Sequence, residues 1–141
     1  MKHAETVRSI YAAFQRGDIE TILKHLADDV QWEYSIEAED VPWLKHRRGR
    51  SEVPGFFASM AGFELHRFEP KTFLENDNIV VVLIDVDLTV KATGKRIAEE
   101  DEVHIWYFGP LGEVTKFAHK VDTHRHWIAC GGQPAQRAST A

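Results

Sequence analysis

The 141-residue chain has one cysteine, Cys130, so no intrachain disulfide can form. Such sparing use fits a reducing compartment. Long apolar runs are also missing: the longest, Ile79 to Ile84, has six residues, where a spanning helix needs about 20. The N-terminal string MKHAETVRS has no apolar signal-peptide core. Together these absences make a cytoplasmic location the expectation. An excess of positive charge is lacking too, with a net charge of −5 and a pI of about 5.9. Nucleic acids and anionic membranes are held by positive charge, so neither is an expected partner. The basic string Lys45-His46-Arg47-Arg48-Gly49-Arg50 is short and reads as a solvated loop.

What is present fits one folded domain, with 43% hydrophobic and 28% charged residues. The domain is expected over residues 1–130, followed by a loose tail of small and polar residues, 131–141. Val7, Ile10, Tyr11 and Phe14 follow helical spacing. Gly17 stops that helix, and Asp18 caps a second with the face Ile19, Ile22, Leu23 and Leu26. Asp28-Asp29 ends the helical region, and residues 30–34 read as a short strand with Val30, Trp32 and Tyr34 facing inward. Residues 35–50 read as a long loop. Ser51 is expected to cap a third helix with the face Val53, Phe56, Phe57 and Met60. Segments 63–75, 78–92, 96–109 and 113–124 read as strands joined at hairpin turns. Helices followed by a meander predict an α+β fold: a cone-shaped, strongly curved antiparallel sheet packed on three N-terminal helices.

The segment His104–Asp122 carries the strongest chemical signal. His104, Trp106 and Phe108 share one face of a strand, and Phe117, His119 and Val121 share one face of the next. Facing each other, they would line an apolar cavity holding two groups that titrate near neutrality. The same pattern also describes a core with two hydrogen-bonded histidines.

The order of elements and several strings resemble the nuclear transport factor 2-like superfamily, nearest its SnoaL-like polyketide cyclase and ketosteroid isomerase-like branch. The strings are Tyr11-Ala12-Ala13-Phe14 with Gly17-Asp18, Leu26-Ala27-Asp28-Asp29-Val30, Gly49-Arg50-Ser51, Thr93-Gly94-Lys95 and Gly112-Glu113-Val114 with Val121-Asp122-Thr123. The resemblance implies a cystatin-like α+β roll with a pocket between sheet and helices. In the steroid isomerases a carboxylate base closes the first strand, and a gapless count lands on Tyr34. Their oxyanion tyrosine falls on Ile10 and their protonated aspartate on His104. None of the three matches, so steroid isomerisation by that mechanism is disfavoured. The Asp–Arg–Asp arrangement of the limonene epoxide hydrolase-like branch has no arginine here on the inner face.

The expected function is binding of a small hydrophobic, carbonyl-bearing molecule, with acid/base chemistry of isomerase, cyclase or hydratase type; the alternative is a non-catalytic binding or dimerisation module. The candidate catalytic residues are His104, His119 and Tyr34, the last as a hydrogen-bond donor to oxygen. The candidate ligand-binding residues are Trp32, Trp106, Phe117, Val121, Phe14 and Phe57. Asp122 reads as a strand-end acceptor of backbone bonds. Asp85 and Asp87 read as outer-face residues near a homodimer seam. Glu99-Glu100-Asp101-Glu102 reads as a solvated charge run. His124 and His126, with His119 nearby, are weighed as metal ligands; neither a metal nor a cofactor is expected.

Overall fold

A computed structural model describes residues 2–34 and 40–132. Helix α1 (Lys2–Gln15) buries Val7, Ile10, Tyr11 and Ala13, the stripe its spacing predicts. Gly17 reverses the chain at φ +73°, a conformation that costs a glycine nothing. Helix α2 (Ile19–Lys24) follows, with the Asp18 carboxylate accepting from Thr21 N. It is shorter than the spacing of its apolar residues suggests. Leu26 belongs instead to strand β1 (Leu26–Trp32), whose two acidic residues face solvent while Leu26, Val30 and Trp32 are buried.

The chain then forms a one-turn 3-10 helix over Pro42–Leu44, strand β2 (Arg47–Arg48) and α3 (Val53–Ser59). Ser51 lies in a 3-10 turn and does not cap α3, which starts from Glu52 without a side-chain cap. Strands β3 (Phe63–Glu75), β4 (Ile79–Val90), β5 (Arg96–Phe108) and β6 (Val114–Lys120) form the expected meander. β1 adds to it in parallel along β6, and β2 adds antiparallel to β1, giving the order β2-β1-β6-β5-β4-β3. Sequence reading missed this extension, because a strand's pairing partner leaves no local mark.

The sheet is curved and unclosed. Register shifts interrupt β3–β4 between Leu65 and Arg67 and between Pro70 and Thr72, and β4–β5 between Ile84 and Val86. Such bulges bend and twist a sheet locally. The helices cover its concave side, and the core includes Val7, Ile22, Val30, Trp32, Val80, Val82 and Phe117. The outer side carries an ion-pair network of Arg67, Lys71, Asp85 and Asp101, together with the Asp87–Arg96 pair.

The last strand ends at Lys120, four residues before the expected boundary. Asp122 caps a fourth helix, α4 (Thr123–Ala129), by accepting from Arg125 N. Residues 133–141 of the expected tail lie outside the described residues; Gly131, at φ +100°, closes α4. Among the described residues, no helix is long and apolar enough to cross a membrane.

Candidate functional site

The strand register places His104 directly opposite His119 and Trp106 opposite Phe117 on β5 and β6. All four are buried on the concave side. The two imidazole centroids lie 5.7 Å apart. Trp32 joins them from β1, its ring 4.2 Å from that of Phe117.

Two adjoining lobes open among these side chains, each of about 60 Å³. Phe56, Met60, Phe68, His104 and Phe117 border both. Lobe one is apolar and aromatic, with Tyr11, Phe14, Trp32, Phe57 and Trp106 completing its wall. Lobe two holds the polar chemistry: Glu102, His104, His119 and His126.

His104 is a fixed hydrogen-bond donor. Its Nδ1 lies 2.7 Å from Tyr11 Oη. Trp106 Nε1 donates to that same oxygen at 3.0 Å. Burial pushes the Tyr11 phenol well above its ordinary value and holds the His104 imidazole well below its own, with His119 adding repulsion. The phenol therefore keeps its proton and gives the hydrogen bond to Nδ1, so the His104 proton resides on Nε2.

His119 has the opposite electrostatics. Its Nδ1 forms an ion pair with the fully buried Glu33 carboxylate. The second Glu33 oxygen accepts from the His119 backbone N at 2.8 Å. Burial opposes the imidazolium, but the charge and hydrogen bond of Glu33, with help from Glu102 and Glu99, outweigh it and raise the His119 pKa above the ordinary value. With Nδ1 turned to Glu33, Nε2 is left on the side of lobe two.

Glu102 stands 3.9 Å from His104 Nε2, beyond hydrogen-bond distance. Burial, opposed by His119 and reinforced by Glu99 and Glu33, pushes its pKa up to about 7. Among the described residues no hydrogen bond engages the Glu102 carboxyl, His104 Nε2 or His119 Nε2. His126, by contrast, is fully engaged. Trp43 Nε1 donates to its Nδ1 at 2.9 Å, so its Nε2–H donates to Glu99 at 2.6 Å. No metal-ligating cluster occurs among the described residues, and His124 points away to Trp127.

Several sequence-based expectations need correction. Tyr34 is outside the cavity. Its ring packs on Tyr107, 5.9 Å away, between the ammonium groups of Lys116 and Lys120. Burial and Tyr107 raise its pKa to about 12. The cause is local: β1 ends at Trp32, and Glu33 turns to φ +60°, which breaks the alternation that would have paired Tyr34 with Trp32. Glu33 takes the inward place, so the end of the first strand does offer a carboxylate. A similar one-residue offset applies on α1, where Ile10 lines lobe one but the phenol at the site comes from its neighbour Tyr11. Glu102 is not part of a solvated run. Asp101, at φ +59°, breaks the alternation within β5, and Glu102 continues the buried face of His104 and Trp106. Val121 packs on the core but borders neither lobe. Phe14 and Phe57 do line lobe one. The part of residues 35–50 that is described does not form a mouth: Val41, Trp43 and Leu44 are buried, and residues 35–39 lie outside the described residues. An open groove of about 630 Å³ instead shares Phe14, Phe57 and Met60 with lobe one.

With this fold and this buried site, the chain belongs to the SnoaL-like domain family, whose sequence profile matches residues 7–116. Solved structures place it in the NTF2-like superfamily. A protein of unknown function from Burkholderia pseudomallei is 26% identical, with 92% of this chain and 98% of that one covered at a TM-score of 0.78. An NTF2-like protein from Burkholderia xenovorans is 24% identical, with 92% and 95% covered at a TM-score of 0.79. A proposed polyketide cyclase from Xanthomonas campestris is 18% identical, with 92% and 96% covered at a TM-score of 0.68. No curated protein matches the sequence significantly.

Proposed function

We propose that the protein binds a small hydrophobic, carbonyl-bearing molecule and moves a proton next to its carbonyl. The observation that carries this reading is lobe two itself. Three buried titratable groups converge there, each with a polar atom lacking a hydrogen-bond partner among the described residues, inside otherwise apolar walls. Polar atoms facing a largely apolar cavity are costly to leave unmade; a ligand carbonyl oxygen would accept from the two imidazoles, and the Glu102 carboxylate would face the acidic C–H beside it.

The roles follow from the electrostatics. Ionised Glu102, titrating near 7, is a base matched to neutral pH. It takes the proton from the carbon beside the carbonyl. The C–H electron pair becomes the C=C bond of an enol, and the carbonyl oxygen receives a proton from His119 Nε2. Glu33 keeps His119 charged for this purpose. His104 Nε2–H donates a hydrogen bond to the same oxygen without titrating. Return of the proton to another carbon gives isomerisation; attack of the enol on a second carbonyl of the same molecule gives cyclisation.

Loss of deuterium from methyl-deuterated acetophenone, followed by NMR, tests the reading without knowledge of the natural substrate. Wash-out should exceed the buffer rate, rise with pH around 7 as Glu102 ionises, and fall again once His119 loses its proton. Glu102→Gln should slow it by roughly 10²–10⁴-fold, the usual worth of a positioned base. Binding with no wash-out above buffer would instead support a non-catalytic carrier.

We also propose that the outer sheet face pairs two copies of the chain. Ile79, Val81 and Leu83 of β4 and Val103 and Ile105 of β5 are half-buried there, and an apolar band of this kind is more often covered than left to water. Sedimentation at concentrations on the order of tens of micromolar should give a dimer; a monomer contradicts the proposal.

A further inference from the structure

The size and division of the cavity restrict the ligand more narrowly than the fold does. Each lobe is about 60 Å³. A dry apolar cavity that accepts benzene measures about 150 Å³. The two lobes joined come to about 120 Å³, less than that, so one aromatic ring with a small oxygen-bearing head is the most they can take, and only as the half-buried side chains of Met60 and Phe68 move aside. They fall far short of a fused polycycle. The lobes also differ in kind. The wall of lobe one brings edges and faces of Tyr11, Phe14, Trp32, Phe57 and Trp106 together, with T-shaped packing between Trp32 and Trp106 and between Tyr11 and Phe68. Aromatic edges and faces of this kind favour another ring. Lobe two offers the His104 and His119 donors and the Glu102 acceptor, and it is closed at its far end by Trp43 and His126, which are tied to each other.

Resting on the function proposed above, we propose that the ligand is a single-ring aryl ketone or aldehyde, or its enol. Its ring occupies lobe one and its oxygen-bearing head occupies lobe two. Met60 and Phe68 border both lobes and set the upper size limit. Met60 also borders the open groove beside lobe one, so its side chain stands where a longer ligand would have to pass. Met60 is half-buried and Phe68 likewise, so their shortening enlarges the space without opening the deepest part of the core.

Binding of acetophenone, 2-acetylnaphthalene and progesterone tests the limit, read by NMR shifts of the His104 and His119 rings in the full chain. Acetophenone should shift both rings, and should bind at least about tenfold more tightly than 2-acetylnaphthalene; progesterone should leave both rings unmoved. Met60→Ala should shrink the preference for acetophenone over 2-acetylnaphthalene by about tenfold. Phe68→Leu serves the same purpose if Met60→Ala does not fold. Equal or tighter binding of either larger ketone by the unmodified protein overturns the size limit while leaving the site intact. A preference unchanged in a folded enlarged variant overturns the role of these two side chains. Failure of every probe to move either ring overturns the proposed function itself.

Discussion

Glu33→Gln is expected to destabilise the protein by about 3–5 kcal/mol, the range found when one partner of a buried ion pair is removed. In thermal melts this is a drop of roughly 10 °C or more for a domain of this size. The glutamine keeps the shape and an oxygen able to accept from His119 N. What it lacks is the charge. Its effect should therefore depend on pH in a definite sense. In the unmodified protein the His119 pKa is raised. Its contribution to stability is complete below the ordinary histidine value of 6.5 and fades as pH rises through the folded-state value. Without Glu33, burial is opposed only by the weaker influence of Glu102 and Glu99, and the folded state disfavours the imidazolium. Stability is then lost as pH falls below 6.5. The gap between the two proteins should be widest in mild acid and narrow toward alkaline pH. A gap independent of pH would mean that packing around Glu33, not its charge on His119, supports the fold.

Phe117→Ala is the second large effect. The Phe117 ring lies 4.2 Å from the Trp32 ring, 4.4 Å from that of Trp106 and 5.3 Å from that of His104. It is 2% exposed and borders both lobes. Truncating a buried phenylalanine costs about 3–5 kcal/mol through lost burial and the void left behind. Here the void would enlarge both lobes. Urea unfolding should show the loss, and added acetophenone should restore more stability to the variant than to the unmodified protein, because the ring can occupy the new space. No rescue by the ligand would place Phe117 in the core and not at the cavity.

The sequence carried the site unevenly, and the reasons are physical. The β5–β6 register runs unbroken from Val103–Lys120 to Tyr107–Lys116, so His104, Trp106, Phe117 and His119 could be placed on one face from spacing alone. The same parity extends from His104 back to Glu102, and that signal was available. The neighbouring acidic residues hid it, because a run of charge looks solvated unless the bulge at Asp101 is known. Glu33 had no such signal. Its inward turn needs φ +60°, a conformation uncommon for a residue other than glycine. That turn removes Tyr34 from the site and supplies the carboxylate that a gapless count missed. The start of helix α4 was read as the end of a strand because Asp122, taken as a strand-end acceptor, is a helix cap; capping and strand ends use the same short acidic side chain. The four-strand meander and the helical pair were legible because turn glycines and apolar periods act locally. The parallel pairing of β1 with β6 joins residues about 90 positions apart, and nothing local records it.

The central claim is that two facing histidines are held in opposite states: His119 charged by Glu33, His104 neutral with its proton on Nε2. Nitrogen NMR of the imidazoles across pH 5–8 measures this directly. The account predicts that His104 still has one protonated and one bare ring nitrogen below the ordinary histidine value, with the bare one on the Tyr11 side, while His119 holds its second proton above that value. Two rings titrating together near 6.5, or a proton on His104 Nδ1, would contradict it.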